Sequence, residues 1–180
     1  MPNWTSNTIR VTGDPSRIRA FRDEMASESQ SFDFNRLIPM PGLLKRTGCG
    51  SRIIDGKKLS SWRILSEGIE GEIPEEVRPF TPEEESALRE IGHFNWYDWA
   101  CANWGTKWNA ACVSVTATTL IDPDAIEITF DTAWSPPLPV FDKMIEDYPD
   151  LCFECRWVNE DEPDIEHALT SGAFDIGDDE

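Results

Sequence analysis

Residues 112–131 read CVSVTATTLIDPDAIEITFD, and their pattern is the strongest indication of the fold. Apolar and polar side chains alternate before and after Asp122-Pro123-Asp124. The apolar members are Val113, Val115 and Ala117, followed by Ile126, Ile128 and Phe130. A period of two is typical of a half-buried strand, and Asp-Pro-Asp is typical of a turn. The stretch therefore predicts a β-hairpin.

The segments on either side of this hairpin extend the pattern. Residues 6–12 alternate as a strand, and residues 15–27 carry apolar side chains at helical spacing after a Gly-Asp-Pro turn. Beyond the hairpin, Ser135 is the predicted N-cap of a second helix with Pro136-Pro137 in its first turn, and a last strand runs to Val158. The order strand, helix, strand, strand, helix, strand is that of the ferredoxin-like split βαβ sandwich. We expect an α+β fold with an antiparallel four-stranded sheet and two helices on one face.

A long excursion separates the first helix from the second strand. We place the ferredoxin-like core in residues 1–31 and 105–158, a helical and irregular insertion in residues 32–104, and an acidic C-terminal tail in residues 159–180. In the insertion, Thr81 before Pro82 and a run of three Glu predicts a helix that begins with a capping box. The indoles between Trp96 and Trp104 recur at helical spacing, which is more typical of a packed core than of a ligand site.

The sheet face opposite the helices is expected to be polar. Its predicted members are Thr8, Arg10, Ser114, Thr116, Thr118, Glu127, Thr129, Asp131, Glu154 and Arg156. RNA-binding domains of this layout stack bases on aromatic side chains of the sheet. These positions hold no aromatic residue, so we do not expect RNA binding.

Five cysteines are present, and Cys152 and Cys155 have the spacing of a metal-binding pair. Both lie in an alternating stretch, and residues three apart on a strand point to opposite faces. A zinc site needs further ligands, and the sequence has one such pair and two isolated histidines. We therefore expect two strand cysteines, with Cys155 facing the core, and no metal or other cofactor.

The net charge is -18, from 16 Lys and Arg against 34 Asp and Glu. Binding to a nucleic-acid backbone needs a surplus of cations, and so does binding to an anionic membrane surface, so both are excluded as direct partners. No apolar run approaches the roughly 20 residues that a membrane-spanning helix needs. The first residues lack the basic and apolar regions of a signal peptide. We expect a cytoplasmic protein of unknown oligomeric state.

Several segments resemble the YubB ferredoxin-like family of plasmid- and phage-borne, Api-like proteins. These segments are MPNWTSN at residues 1–7, FDFN at 32–35, IPMP at 38–41, WYDW at 96–99, NWGTKWNA at 103–110 and FDTAWSPP at 130–137. The resemblance covers roughly residues 1–158 and implies a ferredoxin-like fold with a helical insertion and an origin in a mobile genetic element. It brings no established activity. Family members usually have Cys where Thr5 stands, and they tend to end in a strand rich in Gly and aromatic residues, whereas residues 159–180 are mostly acidic.

Few residues point to catalysis. Asp98, Lys107, Asn109 and Asp131 lie in or beside the resembling segments, and together with two tryptophans they form a possible small polar pocket. Helix capping is a sufficient role for Ser135, and Lys107 with Asp131 also fits a cross-strand ion pair. No motif of nucleophilic or acid–base catalysis surrounds either histidine. We expect a protein that is not an enzyme.

The negative charge is concentrated in two segments. Residues 159–180 carry nine acids and no Lys or Arg, and residues 67–90 carry nine acids against two Arg, so the remainder is nearly neutral. The acids that we select as partner-binding residues are Glu75, Glu76, Glu83, Glu84, Glu85, Glu160, Asp161, Glu162, Asp164 and Glu166. Acids on a rigid surface can occupy a groove built for phosphates and are steered towards a basic partner.

The expected function is therefore inhibition of a basic host protein by a phage or plasmid protein. The expected partner is a nucleic-acid-binding defence effector, as for an anti-CRISPR or anti-restriction DNA mimic. A solvated or disordered acidic segment explains the same charge equally well. Two other classes stay open, namely a protein-interaction scaffold with incidental acids, and a ligand-binding or enzymatic pocket near Asp98, Lys107 and Asp131.

Overall fold

The stretch that predicts the hairpin forms two antiparallel strands in a computed structural model, which describes residues 3–66, 76–117 and 125–170. Ala111–Ala117 pairs with Ala125–Ala133, in the register that places Val115 opposite Ile128. The predicted turn at Asp122-Pro123-Asp124 lies outside the described residues. The prediction of two antiparallel strands is confirmed.

Contacts divide the chain into two compact units. One comprises the described residues of Met1–Ile38 and Trp104–Glu180, and the other those of Pro39–Asn103. The strands in chain order are β1 (Trp4–Thr12), β2 (Thr47–Ile54), β3 (Lys57–Ser66), β4 (Glu76–Arg78), β5 (Ala111–Ala117), β6 (Ala125–Ala133), β7 (Cys152–Asn159) and β8 (Glu166–Thr170). The α-helices are α1 (Pro15–Met25), α2 (Pro82–Ile91), α3 (Trp96–Asn103) and α4 (Leu138–Asp147), with 3-10 turns at Phe34–Arg36 and Leu44–Arg46.

The first unit contains a five-stranded antiparallel sheet in the order β5-β6-β1-β7-β8. Alternate residues of β1, among them Ile9 and Val11, are fully buried, as expected for a strand with one face against a core. α1 and α4 supply Phe21 and Phe141 to this core, and the Phe21 ring packs edge-on at 5.4 Å from that of Phe153 in β7. The fold is thus mixed α/β with antiparallel sheets, as predicted.

The predicted strand count of the sheet is wrong, because the structure has five strands and not four. β8 lies in the segment that was predicted to be an acidic tail, and it pairs with β7 from Glu154↔Thr170 to Val158↔Glu166. The short run EHALT alternates exposed Glu166, Ala168 and Thr170 with half-buried His167 and Leu169. His167 stacks on Trp157 with ring centroids 5.6 Å apart, which is a cross-strand contact that composition does not reveal.

Ser135 is not the N-cap of the second predicted helix. α4 begins at Leu138, after Pro137, and the Ser135 hydroxyl instead donates to the carbonyl of Gly105 at 2.6 Å. Pro137 occupies the N-cap with a ψ of 62°, and the Leu138 N–H donates to the Pro136 carbonyl at 3.0 Å, so this tight turn places Ser135 two residues upstream of the cap.

The second unit holds a three-stranded sheet in the order β2-β3-β4 together with α2 and α3. The segment predicted as helical and irregular therefore also contains strands. β2 and β3 are joined by Asp55-Gly56, both with positive φ, which is the two-residue turn that suits a hairpin twist. α2 begins with the predicted capping box, in which Thr81 and Glu84 bond each other's backbone N–H groups, and it ends at Gly92 with a φ of 84°.

Candidate functional site

The turn between β7 and β8 carries a dense group of carboxylates. We call residues 160–165 the acidic turn. Its four acids, all exposed, are Glu160, Asp161, Glu162 and Asp164. The chain has no Lys or Arg from Trp157 to Thr170, so no cation within this segment neutralises them.

Backbone hydrogen bonds fix the acidic turn to the sheet. The Glu160 N–H donates to the Trp4 carbonyl at 2.9 Å, and the Trp4 N–H donates to the Glu160 carboxylate at 2.8 Å. Within the turn, Glu162 and Ile165 donate to the carbonyls of Asn159 and Glu162, each at 3.0 Å. The backbone that carries these carboxylates is therefore folded against the sheet and is not an extended tail.

A cleft of about 320 Å³ lies beside the acidic turn. We call it the tryptophan cleft, and its lining residues are Asn3, Trp4, Thr5, Trp134 and Asp161. Trp134 is 47% exposed, and Asp161 adds a carboxylate to the lining of the same cleft. The Thr5 hydroxyl donates to the Asn159 side-chain oxygen at 2.9 Å, which ties β1 to the end of β7.

Trp134 has a backbone φ of 74°, a left-handed conformation that is a real outlier for a bulky residue. Its N–H donates to the Asn3 carbonyl at 2.9 Å, and Thr132 donates to the Ser135 carbonyl at 2.8 Å. The buried Thr106 hydroxyl donates to the Ala133 carbonyl at 2.8 Å. Such strain persists where the surroundings over-determine it, and it is enriched at functional sites.

Lys107 belongs to the same surface. Its ammonium nitrogen lies 4.2 Å from the Trp108 ring centroid and 5.0 Å from that of Trp134, which are cation–π distances. The Trp108 ring in turn lies 6.1 Å from Trp4, centroid to centroid. Lys107 thereby contributes to holding two of the exposed indoles in place.

The predicted acids outside the acidic turn have varied surroundings. Glu75 lies outside the described residues, whereas Glu76 at the start of β4 and Glu83 in α2 are exposed. Glu85 pairs with Arg89 one turn later at 3.1 Å, and Glu166 in β8 pairs with Arg156 at 3.4 Å. Part of the predicted negative surface is therefore compensated by neighbouring cations.

Glu84 is held inside its own unit by two arginines. Its carboxylate accepts from Arg78 at 2.7 and 2.8 Å and from the Thr81 N–H at 2.9 Å, and Arg63 lies 3.7 Å away. The hydrogen bond from Arg78 is the largest influence, and although burial acts in the opposite direction, the pKa of Glu84 falls to about 2. These contacts give Glu84 a structural role whether or not a partner binds.

Three of the four predicted pocket residues lie in the first unit, each with different neighbours. Lys107 stacks on indoles as described, and Asp131 in β6 accepts from the Ser6 hydroxyl at 3.0 Å. Asn109 accepts from the Phe34 N–H at 2.9 Å and donates to Asp33 at 2.7 Å. Burial raises the pKa of Asp33, but the hydrogen bonds from Asn109 and Asn35 outweigh it, and the pKa lies below its ordinary value.

Asp98, the fourth predicted pocket residue, lies in the second unit. It stands in the first turn of α3, exposed, where Asn95 donates to its carboxylate at 2.8 Å and accepts from its N–H at 2.8 Å. This is a local helix-start arrangement. A pocket formed by all four residues stays a prediction.

The prediction for the Cys152–Cys155 pair is confirmed as far as orientation goes. Cys155 is fully buried, and burial raises the pKa of its thiol to about 12, while Cys152 lines a shallow depression with Arg10, Thr12, Glu154 and Thr170. Across the described part of the chain, no group of three or more His, Cys, Asp or Glu side chains is arranged to hold a metal ion. Among the same residues, no helix is long and apolar enough to cross a membrane.

Sequence reasoning did not find the tryptophan cleft, although a signal was present. Trp4 has the same strand parity as Ser6, Thr8 and Arg10, which places it with the polar face and not with buried Thr5 and Asn7. An indole on the polar face of a strand does not belong to the buried core and therefore indicates a surface site. No comparable signal exists for Trp134, whose exposure depends on the bend before the two prolines.

Comparison with known proteins locates one similarity. No curated protein and no solved structure matches the chain. A family model matches residues 103–165, from the end of α3 to the end of the acidic turn, and so includes Trp134 and Asp161. Over these residues the chain is similar to the family described as "Ferredoxin-like domain in Api92-like protein".

Proposed function

We propose that the protein is a non-enzymatic phage or plasmid product that binds and inhibits a basic, nucleic-acid-handling host defence protein. The observation that supports this most directly is the acidic turn, which carries four exposed acids and is joined to the sheet through the hydrogen bonds between Glu160 and Trp4. A fixed array of anions can take the place of phosphates in a basic groove.

The position of the acidic turn favours protein binding over simple solubilisation. A solubilising segment needs charge but no defined geometry, whereas Glu160 and Trp4 here bond each other in both directions. The neighbouring exposed indoles are of the residue type that is enriched at the centres of protein interfaces. Charge supplies long-range steering towards a basic partner, and the indoles supply contact area.

Displacement of duplex DNA tests the proposal. Purified CRISPR effectors and restriction enzymes are each loaded with a fluorescent duplex, and anisotropy is followed as the full-length protein is added. We expect the duplex to be released from at least one of them, with an apparent affinity that falls by an order of magnitude or more between about 50 and about 200 mM salt. No release from any of them at the lower salt contradicts the proposal.

Two triple variants of equal net charge separate a specific surface from total charge. The test variant is Asp161→Asn, Glu162→Gln and Asp164→Asn in the acidic turn. The control variant neutralises three exposed acids elsewhere, namely Glu28→Gln, Glu90→Gln and Asp142→Asn. We expect the test variant to lose displacement and the control to keep it. Equal behaviour of the two variants favours a scaffold whose acids are incidental.

A further inference from the structure

The strand β5 forms an open edge of the five-stranded sheet. It pairs with β6 on one side and ends the order of strands on the other. The outer side of an edge strand presents backbone N–H and C=O groups that can pair with a strand of another chain. The register of β5 shifts between Ala111 and Ser114, where Cys112 has a φ of 52° in a β-bulge. From Ser114 to Ala117 the register with β6 is continuous, so this part of the edge is regular.

β5 lacks the charge by which edge strands are commonly protected from such pairing. It reads ACVSVTA and lies within residues 108–121, the longest stretch of the chain without Asp, Glu, Lys or Arg. The other edge strands of the two described sheets all carry charge, namely Arg52 in β2, Glu76 and Arg78 in β4, and Glu166 in β8. Charged side chains on an edge oppose the association of strand edges. Among the strands that the structure describes, β5 is therefore the edge on which pairing meets no charge.

Two valines stay half-buried at this edge. Val115 lies opposite fully buried Ile128 and thus on the core face of the sheet, and Val113 has the same strand parity. At the centre of the sheet, Ile9 and Val11 on the core face of β1 are fully buried. A further strand beside β5 would remove the remaining apolar surface of the two valines from water, which favours association.

The absence of charge favours a second copy of the chain as the occupant of this edge. A basic strand would gain from acids beside it, and β5 offers none. Two copies that each carry a net charge of -18 repel each other, and like charges opposite each other across two strands destabilise the pair, so self-pairing needs an uncharged seam. Because opposite residues of an antiparallel pair point to the same face, a two-fold axis places valines beside valines, and the hydroxyls of Ser114 and Thr116 beside hydroxyls.

We propose that β5 is a dimerisation edge, along which a second copy of the chain pairs antiparallel and joins the two five-stranded sheets into one. The acidic turn connects β7 to β8, at the other end of the strand order, so the inference does not depend on the proposed function. Salt screens the repulsion between the two copies, and the dimer should therefore tighten as salt increases. This is opposite to the salt dependence expected for a basic partner.

Sedimentation velocity of the full-length protein measures the dimer. A reducing agent is kept present, so that exposed Cys112 cannot link two copies by a disulfide. We expect the dimer fraction to grow by mass action between about 10 and about 500 μM protein. It should be larger in about 0.5 M than in about 0.1 M KCl. A monomer at every concentration and in both salts overturns the proposal.

Matched substitutions on the two edges of this sheet locate the interface. Thr116→Glu brings identical charges close together across the β5 seam, whereas Thr170→Glu adds the same charge to an exposed residue of β8. We expect Thr116→Glu to raise the dissociation constant of the dimer by an order of magnitude or more, and Thr170→Glu to change it little. A dimer that keeps its affinity in Thr116→Glu, or that both substitutions weaken equally, overturns the β5 seam.

A pair of variants with opposite charge separates repulsion at the seam from a loss of folding. Thr116→Lys also repels its own copy, so each variant alone should be monomeric, and an equimolar mixture of Thr116→Glu with Thr116→Lys should form a dimer that contains one copy of each. Variants that fail to fold would not recover in this way, and a mixture that stays monomeric counts against pairing through β5. Displacement of duplex DNA is measured separately, so the proposed function can stand or fall without the dimer.

Discussion

Glu84 shows how a single acid in a highly acidic chain can serve the fold. Its side chain is 18% exposed and lies between Arg78, the Thr81 N–H and Arg63. The pKa of Glu84 is about 2 in the folded protein, against an ordinary 4.5. A depressed pKa means that the folded state favours the charged carboxylate. The contribution of the Glu84 carboxylate to the stability of the fold is therefore complete above pH 4.5 and is lost as the pH falls towards 2.

Replacement of the Glu84 carboxylate tests how much it contributes to the free energy of unfolding. Glu84→Gln keeps a residue that completes a capping box, so it removes mainly the ion pair. We expect the free energy of unfolding at pH 7 to fall by about 1–2 kcal/mol, which is less than the full pKa shift implies because solvent screens the 34% exposed Arg78. Urea unfolding followed by circular dichroism measures it.

Unfolding at low pH and a substitution of the neighbouring Glu83 provide the checks on this prediction. The difference between Glu84→Gln and the wild-type protein should shrink as the pH falls from 4.5 towards 2, because the wild-type carboxylate then becomes protonated. Glu83→Gln, in the same helical turn but exposed, should cost only a few tenths of a kcal/mol. A difference that does not change with pH would show that charge is not the cause.

At the scale of elements, the β2–β3 hairpin depends on Gly48, because only a residue without a side chain leaves room for the Trp62 indole. Gly48 in β2 lies opposite Trp62 in β3, and a Cβ atom at Gly48 would stand 2.2 Å from the indole nitrogen of Trp62. Trp62 is 8% exposed and is one of the buried side chains of the second unit. The close approach of ring and backbone is therefore possible only without a side chain at residue 48.

Gly48→Ala should consequently destabilise the protein. We expect a loss of about 1–3 kcal/mol, because the indole or the strand must move to accept the methyl group. Gly42→Ala is the matched control, since a Cβ there meets nothing within 4 Å and its φ is not in the left-handed range. The control should be neutral or slightly stabilising, and a Gly48→Ala protein as stable as the control would refute the packing argument. The stabilities of the two variants and the wild-type protein are compared through their midpoints of urea unfolding.

Elements whose own residues show a clear pattern can be predicted from the sequence, whereas an element that forms only by pairing with a neighbouring strand cannot. β1, β5, β6, β7 and both helices of the first unit followed from alternation, helical spacing and turn residues. β8 was missed because a five-residue edge strand in acidic sequence has little pattern of its own. Its pairing is decided by β7 and by the stacking of His167 on Trp157.

At the scale of the molecule, the net charge of -18 opposes folding through self-repulsion. We expect the thermal midpoint of unfolding to rise as KCl increases from about 10 mM to about 0.5 M, because the screening length shortens from roughly 30 Å to a few Å. Potassium chloride is preferred to a sulfate, which stabilises proteins by exclusion from their surface. A midpoint that stays constant or falls would show that the charges do not strain the fold.

The same measurement on the acidic-turn triple variant locates part of this repulsion. The variant that carries Asp161→Asn, Glu162→Gln and Asp164→Asn has three fewer negative charges, within a turn that contains no cation. We expect a higher midpoint than that of the wild-type protein at low salt and a smaller rise with KCl. An unchanged dependence on salt would place the repulsion elsewhere on the surface.

Local patterns are enough to predict the α+β class, the pairing of β5 with β6, the order of the six core elements and the core orientation of Cys155, because each depends on periodicity or on residues close in the chain. Contacts between residues distant in the chain or in different elements are needed for the fifth strand, the bonding of Ser135 to Gly105, the internal pairing of Glu84 and the assembly of the tryptophan cleft. That cleft joins Asn3, Trp4 and Thr5 to Trp134 and Asp161, which are far apart in the chain. Their meeting depends on strand register and on a strained bend, and neither has a local signature that a sequence pattern can report.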